Sequence, residues 1–220
     1  MVSATQDDNG GVFQYDFGKT IQDQAFRHTR FLNQSPAILR SALRGVKTQY
    51  KMKGHQLEKA INDALERNPR LRQDFERPPP RTDRVFKSRV VHDARGCAEY
   101  CANEPSTLIS RRERTDNEDN PAIHYGLIAS GNLLMRDALI RDRLSTKKDV
   151  LCFEMEAAGL MNDFPCLVIR GICDYSDSHK SKEWQGYASM AAAAFAKDIL
   201  SRIAPNRVES EKRMREIISD

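Results

Sequence analysis

The run Leu167-Val168-Ile169-Arg170-Gly171-Ile172-Cys173 ends on Asp174, and it constrains the fold more than any other stretch of the chain. A short apolar segment of this kind reads as a strand. In open α/β sheets ligands sit at the carboxyl ends of the strands. An acid held there, on a loop carried by a rigid strand, is a candidate for chemistry. Just upstream, Glu154-Met155-Glu156 opens a helix-like stretch through Asn162. Two carboxylates at a helix start suit the positive end of the dipole. They equally suit vicinal hydroxyls, because an ionised carboxylate is purely an acceptor.

The rest of the chain alternates between the two periods. Val12–Tyr15, Val85–Val91 and Ile123–Ala129 read as strands, the last followed by a Ser130-Gly131-Asn132 turn. Ser35-Pro36 reads as a helix start, with Ser as N-cap and Pro in the first turn. Ile38, Leu39, Ala42, Leu43 and Val46 follow it at helical spacing. Leu57–Leu65 repeats in the same way until Asn68-Pro69 stops it. Leu133–Leu144, Trp184–Ile203 and a charged tail over 204–220 are further helical segments, the tail a frayed one. Pro78-Pro79-Pro80 is a stiff connector. Strands alternating with helices argue an α/β fold. The organisation expected is one domain over 12–203, interrupted by a polar loop or insertion at 93–120. Its 100–120 part is expected to be mobile and unnecessary for the core.

Composition excludes several classes of function. Charged residues make up 30% of the chain, yet the formal net charge is only +4. That balance lacks the concentrated basic face of a nucleic-acid binder. No run reaches the length of a membrane span, and MVSATQDDNGG lacks a signal-peptide core. Five cysteines, an odd count, fit a reduced cytoplasmic protein better than a disulfide framework. Cys152, Cys166 and Cys173 lie in apolar runs and read as small core residues. His92, Cys97 and Cys101 offer a C-x₃-C spacing with no second pair, so no zinc site is expected.

F-E-M-E-A-A-G at 153–159 followed by V-I-R-G-I-C-D-Y-S-D-S at 168–178 resembles the purine and uridine phosphorylase superfamily. The closer resemblance is to nucleoside phosphorylase-like domains of fungal multidomain proteins. In those domains the segments Tyr15–Thr20, Ile123–Asn132 and Lys182–Asp198 also recur. The resemblance covers about residues 12–200 and is poorest over 70–120. It implies a three-layer α/β/α sandwich around a mixed sheet. It also implies cleavage of the N-glycosidic bond of a purine nucleoside or nucleotide, by water or with phosphate as co-substrate, without a cofactor.

On that resemblance Asp174 matches the aspartate that protonates N7 of the leaving base. Glu156 matches the glutamate that accepts hydrogen bonds from the ribose hydroxyls, and Met155 the methionine under the sugar. Ser130, Gly131 and Asn132 stand where relatives place base-contacting backbone and an aromatic stacker. Leu133 and Leu134 follow here, so an aliphatic wall replaces the expected ring. Asp177 reads either as a support for Asp174 or as a solvated loop acid. His28, between Arg27 and Arg30, reads as part of a solvated helix face rather than a contact to a 5′ substituent. Plainer readings stand beside these: a loop-capping Asp174, a core-packing Met155, and Asn132 as a turn residue.

The family's first strand, with its catalytic glutamate, and its glycine-rich loop have no counterpart in this sequence. The chain therefore reads as the C-terminal two-thirds of such a domain. It is expected to pair with the missing segment or form a homo-oligomer, and to turn over weakly alone. The alternative from another class is a non-catalytic fragment that binds a nucleoside or mediates assembly.

Overall fold

The computed structural model describes residues 2–4 in their backbone, 10–29, 32–92, 101, 105–112, 115, 118 and 120–209. Its centre is strand β5 (His124–Ser130), the longest strand described. β5 pairs in parallel with β1 (Val2–Ala4), β2 (Val12–Gln14) and β6 (Val150–Glu154). β7 (Ile169–Arg170) runs antiparallel to β1. The result is a mixed five-stranded sheet. A separate two-stranded ribbon joins β3 (Gly18–Lys19) to β4 (Arg27–His28).

Successive strand residues face opposite sides of a sheet, and the cores follow that alternation. Tyr125, Leu127 and Ala129 of β5 lie on one face, and Ile128 on the other. Helices α1 (Ala37–Lys53) and α6 (Gln185–Leu200) cover part of the first face. There Ala42, Leu43, Val46 and Tyr50, spaced for one side of a helix, pack with Phe195 and Ile199. Tyr125, Leu167 and Ile169 lie against the same cluster. α4 (Ala138–Lys148) covers the rest through Leu144, which packs against the cluster of Phe13, Tyr15, Leu127, Ala129 and Val150. The opposite face is closed by α5 (Ala157–Leu160) and the residue that follows it. Ala157 and Met161 join Val12, Ile128 and Val168 there. The fold is α/β, with a sheet between two outer layers, one of them thin. Outside α6, α2 (Leu57–Arg67) sets Ile61 and Leu65 against Tyr187 and Ala191, with Phe75 of α3 (Arg72–Phe75) alongside. Phe195 is fully buried where α6 meets α1, and an aromatic of that size contributes about 1.5–3 kcal/mol by burial.

Several boundaries differ from the sequence reading. α1 begins at Ala37 with Pro36 at the cap position, and Ser35, although buried, makes no side-chain cap. Val85–Val91 is not a strand. Among the described residues its one ladder contact is the isolated bridge Phe86–Leu108, which gives the basic alternate positions no sheet to join there. Residues 133–137 lie outside α4. The helix starts where Asp137 Oδ1 accepts the amides of Leu139 and Ile140 at 2.9 and 3.0 Å, an N-cap that overrides the leucines before it. β7 keeps only two residues of the apolar run that ends at Asp174. His28 lies on a strand, not a helix. The tail forms α7 (Pro205–Glu209), and residues 210–220 lie outside the described part. Most of 93–120 does too. Among the described residues no helix is long and apolar enough to cross a membrane.

Candidate active site

A cleft of about 220 Å³ opens at the carboxyl ends of β6 and β7. Met155, Glu156 and Asp174 all line it, so the structure brings together the three residues that carry the sequence argument. β6 delivers the first two. Glu154, its last residue, is 4% exposed. Its carboxylate turns back to accept the backbone N–H of Glu156 at 3.0 Å and of Ala157 at 3.0 and 3.3 Å. Glu154 therefore builds the turn, and Met155 and Glu156 project from it at the rim, both exposed. Glu156 Oε2 lies 3.1 Å from a guanidinium nitrogen of Arg170, at the end of β7. The two strand ends are thus joined by an ion pair across the cleft.

Asp174 follows β7 after Gly171-Ile172-Cys173. Gly171 is required by packing, since a Cβ there would lie 2.0 Å from the backbone oxygen of Ala188 in α6. Asp174 Oδ1 accepts the N–H of Ser176 at 2.9 Å, and Ser176 takes the left-handed conformation (φ 53°). Oδ2 lies 3.3 Å from Lys180 Nζ and 3.5 Å from Cys173 Sγ. The turn is anchored from outside. Arg141 of α4 donates to the carbonyl of Tyr175 at 2.6 Å. The Tyr175 hydroxyl donates to Asp83 at 2.6 Å and accepts from Arg111 at 2.6 Å. Burial, reinforced by the Asp83 hydrogen bond, raises the pKa of that phenol, so it remains a neutral donor.

The other residues singled out from the sequence are placed differently. Ser130 is fully buried, and its Oγ accepts the N–H of Ala158 at 2.8 Å, tying β5 to α5. The Gly131 N–H reaches the Glu154 carbonyl at 3.3 Å, and the Asn132 N–H reaches Asp16 Oδ2 at 2.5 Å. These three do not line the cleft; Leu133, Leu134 and Met135 beyond them do. Asp177 is buried, with Oδ1 accepting the N–H of His179 at 2.8 Å and Oδ2 3.9 Å from Arg141. It is neither solvated nor on the cleft wall. His28 also lies off the wall, hydrogen-bonded to the Tyr15 carbonyl at 2.9 Å and edge-on to Phe13.

Sequence reasoning missed the rings and the cations of the wall. Tyr15 and Phe153 line the cleft and meet edge to face at 5.6 Å, so aromatic rings are present after all, contributed by β6 and the end of β2. The Tyr15 hydroxyl donates to the Leu133 carbonyl, holding the leucine segment against the wall. Burial raises the Tyr15 pKa, with Asp16 and Glu154 adding to it. Arg170 and Lys180 supply the cations. The signal for Arg170 was available, as it interrupts an otherwise apolar strand. Cys152 also lies on the wall, and burial pushes its thiol up to about 12, which leaves it un-ionised. A wider, open hollow of about 500 Å³ on the outer face of α1 is lined by basic and neutral residues such as Arg44, Lys53 and Arg202. It holds no acid, so the chemistry-bearing groups belong to the smaller cleft.

Two kinds of curated protein are similar to this chain. A nucleotide-binding leucine-rich repeat (NLR)-like protein of Hyaloscypha variabilis is 38% identical over 203 residues, which is 92% of this chain and 19% of that protein. A protein named ATP nucleosidase Cap17, from Escherichia coli, is 40% identical over 79 residues, 33% of this chain and 16% of that protein. The chain thus spans less than a fifth of the curated relatives it matches. No family model and no solved structure matches it.

Proposed function

We propose that this chain forms part of a domain that cleaves the N-glycosidic bond of a purine nucleoside or nucleotide. The observation that carries the reading is the convergence of Met155, Glu156 and Asp174 on one cleft at two strand ends. The partial identity to an ATP nucleosidase supports the same class of reaction. In the proposed mechanism Glu156 accepts hydrogen bonds from the ribose hydroxyls while Met155 packs under the sugar. The purine lies against Tyr15, Phe153 and the leucines. As the bond between C1′ and N9 breaks, its electron pair moves into the base, and the Asp174 carboxyl delivers a proton to N7. Oδ1 is committed to Ser176, so Oδ2, beside Lys180, is the oxygen that meets the base. Negative charge at Glu156 braces the positive charge developing on the sugar. Phosphate, or water that releases a proton to solvent, then bonds to C1′. A guanidinium is suited to phosphate, which gives Arg170 a second role if the substrate is a nucleotide.

The cleft is smaller than the roughly 300–1,000 Å³ of sites that enclose a drug-sized ligand. Its described walls therefore hold base and ribose from one side and leave the attacking reactant unplaced. Positioning both reactants supplies a large part of the barrier reduction, which is the physical ground for expecting little turnover from the 220 residues alone. The test is chromatographic release of free base from adenosine, inosine, guanosine and ATP, with and without phosphate. It compares this chain with the chain completed by an N-terminal segment carrying the first strand and its glutamate. Release by the completed domain alone is the expected outcome. Binding of these ligands without release by either protein would favour a nucleoside-binding module.

A further inference from the structure

One cluster lies outside the cleft and is not used by that mechanism. A ligand atom from each of His92, Cys101 and His179 lies within 4.8 Å of the others. His179 is the informative member. Its side chain is 2% exposed, and among the described residues neither ring nitrogen finds a hydrogen-bond partner. Nδ1 of His92 is likewise buried without one. Buried polar groups in folded proteins are ordinarily paired, so three orphaned imidazole nitrogens beside a thiol point to something that pairs with them. The rings are held in place. His179 stacks flat on Phe86, with centroids 3.8 Å apart and planes at 12°, and meets His92 edge-on at 82°. The backbone is fastened on all three sides. The His92 N–H reaches Ser178 Oγ at 2.8 Å, the His179 N–H reaches Asp177 Oδ1 at 2.8 Å, and Thr107 Oγ1 donates to the Cys101 carbonyl at 2.7 Å.

We propose that His92, Cys101 and His179 bind one zinc ion, which fastens the loop carrying Asp174 and Lys180 to His92 and Cys101. Two imidazoles and a thiolate are the nitrogen and sulfur donors this borderline-soft cation takes. Around one zinc such donors stand about 3.3–3.8 Å apart, given bonds of about 2.0–2.3 Å. The cluster therefore needs to contract by about 1 Å. Zinc binding displaces the proton of the Cys101 thiol to solvent. Three protein ligands leave a fourth tetrahedral position for water or a further ligand. Asp177 Oδ1 lies 3.9 Å from His179 Nδ1. It is placed to accept that N–H once Nε2 turns to the metal, the usual carboxylate–histidine–zinc arrangement. The sequence pattern concealed the site because one ligand, His179, lies far along the chain from His92 and Cys101. The metal assignment is independent of the proposed reaction. Only its effect on the Asp174 loop rests on that reading.

The test uses the untagged 220-residue chain purified without chelator. Elemental analysis is expected to find about one zinc per chain. Cobalt(II) added to the metal-free protein is expected to give a thiolate charge-transfer band and the visible bands of tetrahedral coordination. Cys101→Ser should abolish the charge-transfer band, His179→Ala should abolish stoichiometric retention, and Asp177→Asn should weaken affinity by roughly 10–100-fold. Should a variant not fold, the cobalt spectrum of the unaltered chain still decides the matter. A folded chain that retains no zinc and leaves cobalt octahedral overturns the proposal, as does full zinc retention by folded Cys101→Ser and His179→Ala.

Discussion

Replacing Glu154 tests whether one buried carboxylate builds the turn that presents Met155 and Glu156. The side chain is 4% exposed and accepts two backbone amides at 3.0 Å. Hydrogen bonds to a charged acceptor are each worth about 1.5–3 kcal/mol, and an amide left buried without a partner costs about 1–3 kcal/mol. Glu154→Ala removes the acceptor for both, so a loss of about 3–5 kcal/mol is expected. Glu154→Gln keeps one oxygen and the shape, and should lose about 1–2 kcal/mol. Domains of this kind have a total stability of about 5–15 kcal/mol, so the alanine variant should remain folded but visibly weakened. Urea unfolding followed by circular dichroism reads the difference. With a slope near 2 kcal/mol/M the midpoint should fall by roughly 2 M for alanine and under 1 M for glutamine, at unchanged slope. Equal midpoints for the two variants, or a loss below about 1 kcal/mol for alanine, would refute the claim that the charge and its two amides hold this turn.

Other expectations are as direct. Gly171→Ala places a methyl group 2.0 Å from the Ala188 backbone oxygen, so α6 must shift, and a loss of about 3 kcal/mol or more should appear in thermal or urea unfolding. Asp137→Ala removes the cap of α4 and should cost about 1 kcal/mol in the same measurement, with Asp137→Ser restoring most of it. Burial raises the thiol pKa of Cys152, Cys166 and Cys173, that of Cys152 to about 12. Since the thiolate is the nucleophile, alkylation of Cys152 at pH 8 should be much slower than that of a short cysteine peptide and should accelerate only as pH climbs towards 12. Mass spectrometry of the labelled peptides checks this, and peptide-like labelling of Cys152 at pH 8 would contradict it.

The residues that announced themselves in the sequence did so through strong local physics. α2 and α6 were legible because Leu57, Ile61 and Leu65, and later Tyr187, Ala191 and Phe195, recur at helical spacing on faces that are buried. β5 was legible as an apolar run closed by a turn. The convergence of Glu156 and Asp174 followed from placing both at strand ends. What escaped depends on contacts distant in sequence. The leucines at 133 and 134 look helical until Tyr15, more than a hundred residues earlier, captures the Leu133 carbonyl. Val85–Val91 has a strand's composition but finds no partner strand among the described residues. Asp177 looks like a loop acid until His179 and Arg141 bury it. Ser130 looks like a turn residue, yet its hydroxyl is spent on α5.

The central claim is that Asp174 protonates the departing base, and the most direct test is free-base release by the completed domain before and after Asp174→Asn. The asparagine keeps the Oδ1 bond to the Ser176 amide and the volume of the side chain, so the urea midpoint should hardly move. It has no acidic proton to give. Release of purine should fall by roughly 10²–10⁴, the range for loss of a general acid, while binding of the nucleoside persists. Unaltered release by a folded Asp174→Asn domain would contradict the account.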